Sequence, residues 1–313
     1  MNKNHPCAII LESQCSNRCI FCQSNNVFTR TQEEMRFEFE NNKANIIQLA
    51  ENGFSYIEIS GRDPIESPYL ISTIEVLKQN NFNDAQLTTH GMHFSDINYA
   101  NIIVNSGITI LKIPLYGVTE EIHDSITQNK GSFKKTIEGI KNARLSNKNL
   151  KIKINTLILK QNKHQFIDIY NLSMGLGANQ FIVDTVKLIG DSTIWGLNFQ
   201  ELKTTFALFS QNLTRLKNTR FIDYPFCLFG FYSPIIENKN NVPTFGNKYS
   251  VPEIYKTEKH GHPAYRNKSF VDICFKCKVK SKCDGFLDSY LNMQNNHIEK
   301  LIPVDRKLTL KTS

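Results

Sequence analysis

The chain has 313 residues, 40% of them hydrophobic and 21% charged, which is enough to bury a real core in one large domain, or in a barrel-like domain with a small appendage, and excludes a disordered or fibrous protein. No run approaches the roughly 20 apolar residues that cross a bilayer, and MNKNHPCAII passes directly into strand-like sequence, so neither a membrane partner nor a signal peptide is expected and the cytoplasm is the expected compartment. The net charge of +8 comes from scattered lysines set among asparagines, a solvated basic surface without the regular basic and aromatic platform of a nucleic-acid binder.

Hydrophobic periodicity lays out alternating strands and helices along the first two-thirds of the chain. Ala8 to Leu11 reads as a short strand, followed by a loop with three cysteines and a helix from about Thr31 to Asn52. Tyr56 to Ile59 is a second strand ending in Ser60-Gly61-Arg62-Asp63-Pro64, with a helix from about Pro68 to Gln79. Ala85 to Thr89 stops at His90-Gly91 before a helix over Asp96 to Asn105, and Ile108 to Leu115 closes at Tyr116-Gly117 before one over Phe133 to Leu145. Lys151 to Leu159 and Gln180 to Leu188 complete the strands, with helices near Gln165 to Met174 and Phe199 to Leu216.

Consecutive parallel strands need helical crossovers, so six such units imply an α/β fold, a partial (β/α)6 TIM-like barrel over residues 1–220. Chemistry in such a barrel collects at the carboxyl ends of the strands, where the unusual motifs lie. From about Phe221 the alternation stops. Residues 221–313 read as a small irregular module rich in Pro, Gly, Asn and aromatics, with a short helix near Phe286 to Met293, and a module with so little core needs a staple.

Eight cysteines in a reducing compartment are metal ligands or structural thiols before they are disulfides, and seven of them fall into two groups. The first is Cys15-x3-Cys19-x2-Cys22, directly after the first strand. Three thiolates at this spacing hold three irons of a cubane and leave the fourth open to a ligand. A structural zinc would need a fourth ligand nearby; no Cys or His occurs between Cys22 and His90, and Cys7 begins the strand.

The run CSNRCIFC resembles the signature of the radical S-adenosylmethionine superfamily, including the aromatic Phe21 before the last cysteine. The resemblance implies that the open iron chelates S-adenosylmethionine (SAM), that one electron from the cluster releases a 5′-deoxyadenosyl radical, and that this radical takes a hydrogen atom from a substrate. It also implies a reductant such as flavodoxin or ferredoxin. Cofactor contacts follow by position: Phe21; Gly61 and Asp63, where relatives carry Gly-Gly-Glu-Pro; and Asn155 on the fifth strand, beside Thr156. Asp63 is one methylene shorter than the family's glutamate, and Gly, Asp and Pro also suit a plain strand-ending turn. His90 stands where relatives often have the asparagine of Thr-Asn-Gly, either facing the cofactor or substrate or serving as a structural histidine. His123-Asp124 resembles a pair that shapes a loop in relatives.

The second group is Cys274-x2-Cys277-x5-Cys283 with Cys227 upstream. Four thiolates close a site, and by count alone a structural zinc fits as well as an iron–sulfur cluster. The spacing, with Gly285 behind it, is similar to SPASM and twitch modules; too few cysteines remain for a full SPASM module, so the resemblance implies a twitch-like module with one auxiliary [4Fe-4S] cluster, making two clusters in all. Substrate-side candidates are Tyr116, Asp184 as a base, Lys187 and Tyr224. The expected activity is radical modification of a peptide or protein. The alternatives are a dehydrogenase or a natural-product or cofactor-building enzyme acting on a small molecule and, from another class, an iron–sulfur electron carrier, which would need closed ligation at both sites.

Overall fold

The computed structural model describes residues 7–11, 13–22, 31–186, 194–210, 218–229, 268–283, 285–293, 296–301 and 304. Seven parallel strands lie side by side in chain order: β1 (Cys7–Ile10), β2 (Tyr56–Ser60), β3 (Asp84–Thr88), β4 (Ile110–Pro114), β5 (Lys151–Leu157), β6 (Gln180–Asp184) and β7 (Thr219–Ile222). The helices between them are α1 (Gln32–Glu51), α2 (Leu70–Gln79), α3 (Ile97–Asn105), α4 (Glu120–Thr127), α5 (Ser132–Ser146), α6 (Phe166–Gly175) and α7 (Phe199–Ser210). This is the α/β partial barrel expected, one strand wider than the six predicted. The extra strand is the four-residue TRFI, too short to announce a period, and it straddles residue 220, where the barrel was expected to end. The eight-residue helix α4 also escaped the sequence reading, because His123 and Thr127 occupy its buried face where apolar residues would have signalled it.

Alternation along each strand sends one set of side chains outward against the helices and the other into the barrel lumen. The outward set (Ile57, Ile59, Leu87, Leu111, Ile113, Ile152, Ile154, Phe181, Val183) is buried and apolar. The lumen set, apart from Ile110 and Ile182, is largely polar and pairs across strands. Glu58 accepts from Thr88 Oγ1 at 2.8 Å and stands 3.6 Å from Lys112 Nζ, while Lys153 Nζ donates to Tyr56 Oη at 3.0 Å and Gln86 Oε1 at 2.8 Å. Burial draws the Lys153 ammonium down to about 8, because little water remains to solvate the charge.

At the carboxyl end of β1 the ladder continues one residue further, with Leu11 N–H donating to Ser60 O at 2.7 Å. Gly61 follows at φ +153°, and a Cβ there would strike the Leu11 carbonyl oxygen. Close approach of two backbones is thus what requires glycine at this position.

The C-terminal region contributes an antiparallel pair, β8 (Lys268–Ser269) with β9 (Phe286–Leu287), and the one-turn helix α8 (Asp288–Leu291). The helix expected from Phe286 therefore begins two residues later, since Phe286 and Leu287 are recruited to pair with β8. Phe199 at the start of α7 packs edge-on against Phe286 (5.0 Å between ring centroids) and against Tyr290 at 5.7 Å, and Lys268 pairs with Asp223 at 2.8 Å. These contacts hold the cysteine-bearing segment to the end of the barrel.

Replacing Gly61 by alanine is expected to lower stability by about 1–3 kcal/mol, the usual cost of forcing a side chain into a backbone conformation reserved for glycine. Urea unfolding of the apoprotein followed by circular dichroism measures it; an unchanged midpoint would show that the β1–β2 junction relaxes freely.

Candidate functional site

The cysteine loop runs across the mouth of the half-barrel and is held from three sides. Arg18 N–H donates to Thr127 O at 2.9 Å and Ile20 N–H to Ile126 O at 3.0 Å, so the last turn of α4 carries the loop's middle. Asn129 Nδ2 donates to Ser16 O and Asn17 Oδ1, both at 3.0 Å. From the β2 side, Glu66 Oε1 accepts from Ser16 N–H at 2.9 Å and from Ser16 Oγ. Phe21 packs edge-on against Tyr116, with centroids 5.1 Å apart, so the aromatic of the motif seats the loop on the end of β4.

Cys15, Cys19 and Cys22 are all half-buried, and none is in a disulfide. Burial pushes the Cys15 thiol up to about 12, and Asp63, Glu66 and Cys22 add to the rise; burial also raises Cys19, reinforced by Cys22 and Cys15. A shared cation would relieve the repulsion that Cys22 exerts on both partners and hold the thiols as thiolates, so the donor set fits a three-thiolate cluster. Cys7 is fully buried at the start of β1, opposite Ile57, and belongs to the core.

The Asp63 carboxylate is fully buried. Its Oδ1 accepts from Ile65 N–H at 3.2 Å and its Oδ2 from His90 N–H at 3.1 Å, with His90 Nε2 at 2.7 Å. His90 Nε2 lies 3.1 Å from Glu66 Oε1, and His93 Nε2 lies 3.4 Å from the same oxygen. Burial disfavours a charged His90 ring, but the two carboxylates outweigh it and lift the group to about 9. Met92 N–H points at Nδ1 from 3.1 Å and opposes a second proton there, so in either state Nε2 is the N–H that faces the carboxylates. Burial tends to raise the Glu66 carboxyl, yet hydrogen bonds from His90, His93 and Ser16 hold it well below the usual carboxylate range.

Asn155 sits half-exposed at the carboxyl end of β5, opposite Pro114 and Ile182, and Thr156 beside it is buried. Tyr116 is buried at the end of β4, and burial with the nearby cysteines and Asp184 pushes its phenol well above 10. Asp184 ends β6; its Oδ1 accepts from Thr185 N–H at 2.9 Å and its carbonyl from Tyr224 Oη at 3.1 Å. Lys187 lies outside the described residues. His123 is buried, its Nδ1 accepting from Tyr116 N–H at 3.2 Å, and Asp124 accepts from Gly131 N–H at 2.6 Å and from Ser132 Oγ and Phe133 N–H at 2.8 Å. One therefore braces the end of β4 and the other the start of α5. Sequence reasoning missed Ser16 and Glu66; the only local trace of their link is a serine following the first motif cysteine.

The four remaining cysteines meet at the far end. Cys227, Cys274, Cys277 and Cys283 line one cavity together with Phe226, Phe270, Ile273 and Phe286. Burial raises the Cys227 thiol, and Cys283, Cys274 and Cys277 all push it further, which places the four groups within electrostatic reach of one another. Among the described residues no helix is long and apolar enough to cross a membrane.

Residues 9–173 match the family described as "Radical SAM superfamily". The chain is 24% identical over 187 residues to a probable GTP 3′,8-cyclase of Saccharolobus islandicus, covering 58% of this chain and 57% of that one. It is 26% identical over 244 residues to a PqqA peptide cyclase of Bradyrhizobium diazoefficiens, covering 70% of this chain and 58% of that protein. It thus spans less than two-thirds of the length of these curated relatives. Among solved structures, Streptococcus suis SuiB bound to precursor peptide SuiA superposes with a TM-score of 0.63 at 13% identity, over 92% of this chain and 73% of SuiB. Native anSMEcpe with bound AdoMet and Kp18Cys peptide gives 0.61 at 13% identity, over 94% and 96%.

Burial holds the His123 imidazole at about 4 instead of the ordinary 6.5. The unfolded chain takes up this proton first as pH falls, so stability present above about 6.5 drains away toward pH 4, by an amount on the order of 3 kcal/mol. Urea midpoints of the apoprotein at pH 7 and pH 5 are expected to differ more for wild type than for His123→Asn; equal differences would mean that the ring does not titrate as a buried neutral group.

Proposed function

The chain belongs to the radical SAM superfamily, and from that premise we propose an enzyme that modifies a peptide or protein with the help of a second, auxiliary [4Fe-4S] cluster in a twitch-like C-terminal module. Family membership brings a [4Fe-4S] cluster and SAM, which together supply a 5′-deoxyadenosyl radical able to take a hydrogen atom. Cys15, Cys19 and Cys22 are the residues to hold that cluster, with Phe21, Gly61, Asp63 and Asn155 on the cofactor side. Gly61 serves chiefly by letting β1 and β2 close. Asp63 acts from beneath, through His90 and the Ile65 amide.

The observation that carries the auxiliary cluster is the shared cavity. The four thiols line one pocket walled by Phe226, Phe270 and Phe286, an apolar setting that suits an iron–sulfur group. A reductant such as flavodoxin or ferredoxin completes the scheme as the electron source.

Support for a peptide substrate comes from the fold shared with SuiB and anSMEcpe, whose structures hold peptides, and from the likeness to PqqA peptide cyclase. The similarity to GTP 3′,8-cyclases favours a second reading, a small-molecule enzyme. A nucleotide triphosphate would seek open cations in the lumen, whereas Lys112 is set against Glu58 and Lys153 is bonded to Tyr56 and Gln86. Asp184, half-exposed at the end of β6 near Tyr116 and Tyr224, is the group proposed to take a substrate proton.

Anaerobic reconstitution is expected to give roughly eight irons per chain, four per cubane. Replacing Cys15, Cys19 and Cys22 together by alanine should leave about four irons and no SAM cleavage under reduction. Cleavage retained in that variant would remove the basis of the reading, and a wild type holding four irons and one zinc would remove the auxiliary cluster from it. For the substrate, the product of a short open reading frame beside the gene is expected to raise 5′-deoxyadenosine formation above the substrate-free rate, with Asp184→Asn sparing SAM cleavage but not conversion. Stimulation by GTP instead would favour the small-molecule reading.

A further inference from the structure

Two of the departures of this chain from the family pattern, Asp63 for glutamate and His90 for asparagine, touch each other. His90 Nε2 is 2.7 Å from Asp63 Oδ2 and 3.1 Å from Glu66 Oε1, and both residues of the first pair are buried. Glu66 Oε1 in turn accepts from the backbone and side chain of Ser16, the residue after Cys15. The ligating atoms of Cys15, Asp63 and His90 lie within 4.8 Å of one another. Hydrogen bonds therefore run without a break from the imidazole at the end of β3, through Glu66 in the loop after β2, to the loop that presents the first motif cysteine.

We propose that His90 is a positioning residue for the cluster loop: its Nε2–H, shared between Asp63 and Glu66, fixes from the end of β3 the carboxylate that grips the cysteine loop at Ser16, and shields the Cys15 thiolate from two adjacent carboxylates. The inference rests on Cys15 being a cluster ligand. Its physical basis is the charge balance beside Cys15. A thiolate cluster is anionic, and two carboxylates nearby would repel it; a donor between them draws their charge away from the sulfur. Partners in the layer behind a metal ligand orient it, and losing one commonly costs about 10- to 100-fold in metal affinity.

The same residues pose an alternative, because Glu66, His90 and His93 also bring two imidazoles and a carboxylate within 4.8 Å. A cation on His90 Nε2 would need Nδ1 to carry the ring proton, and Nδ1 instead receives the Met92 N–H. The ring is thereby committed to donating from Nε2. The second imidazole, His93, adds a further donor to Glu66 at 3.4 Å from a more exposed position.

The test uses the shapes of two amides. In His90→Gln the terminal amide nitrogen reaches about as far as Nε2 and can still donate to both carboxylates, whereas in His90→Asn it reaches only as far as Nδ1. With the reconstituted holoenzyme, His90→Asn is expected to lose iron from the three-cysteine site to a chelator about 10- to 100-fold faster than wild type. Its reduction potential for that cluster should move to more negative values, and His90→Gln should restore both. Equal behaviour of the two variants, with retention and potential unchanged, would overturn the proposal. So would one further metal ion per chain that is lost in His93→Ala. Should His90→Asn fail to fold, Ser16→Ala, which removes one of the Ser16 donors to Glu66 from a partly exposed loop, must speed iron loss in the same direction, and its failure to do so counts against the clamp. Iron stoichiometry of the wild type separates this outcome from failure of the functional reading: a chain that never binds iron at Cys15, Cys19 and Cys22 contradicts the reading itself, not the role of His90.

Discussion

The junction between β1 and β2 is the constraint on which the site depends. Leu11 N–H reaches Ser60 O at 2.7 Å, and Gly61 lets the two backbones come that close. This closure sets the cysteine loop, which leaves β1, directly beside the loop that leaves β2. Every contact between the Cys15–Ser16 segment and Asp63, Glu66 and His90 presupposes it. A wider junction would carry Ser16 away from Glu66 and leave Cys15 without its polar floor.

The lumen shows how a half-barrel can be charged inside and still be stable. Ionised groups withdrawn from water cost several kcal/mol each unless they find partners. Glu58 meets Thr88 and Lys112, and Lys153 meets Tyr56 and Gln86, partners that reach across the lumen from other strands. The hydrophobic work is left to the outer face, where the isoleucines, leucines and Phe181 pack beneath the helices. The interior of the barrel is thereby rigid at its floor and open to chemistry at its mouth, where Tyr116, Asn155 and Asp184 stand.

The two cysteine groups solve different problems. Cys15, Cys19 and Cys22 lie within eight residues, so their mutual proximity is local and the fold has only to orient the loop. Cys227 is separated from Cys274 by a long stretch of chain, and their convergence relies on packing of the terminal segment against α7, through Phe199 with Phe286 and Tyr290, and on the Lys268–Asp223 pair. Ligation at that cavity would add to a module with little apolar core of its own, which is what a staple does in small units.

Much of this was legible in the chain itself. Strand and helix order, the three-cysteine loop after the first strand and the family all follow from short-range period and spacing, because such signals are carried by residues close in sequence. The seventh strand and α4 were not, one being too short to show a period and the other burying His123 and Thr127 where apolar residues were expected. What only the tertiary structure decided is which partners the motif residues take: Asp63 turned inward to His90, Glu66 bound to Ser16, and four distant thiols around one cavity. Those pairings join residues on different loops, and how near two loops come is set by the register and twist of parallel strands, a property of the assembled sheet that no local pattern contains.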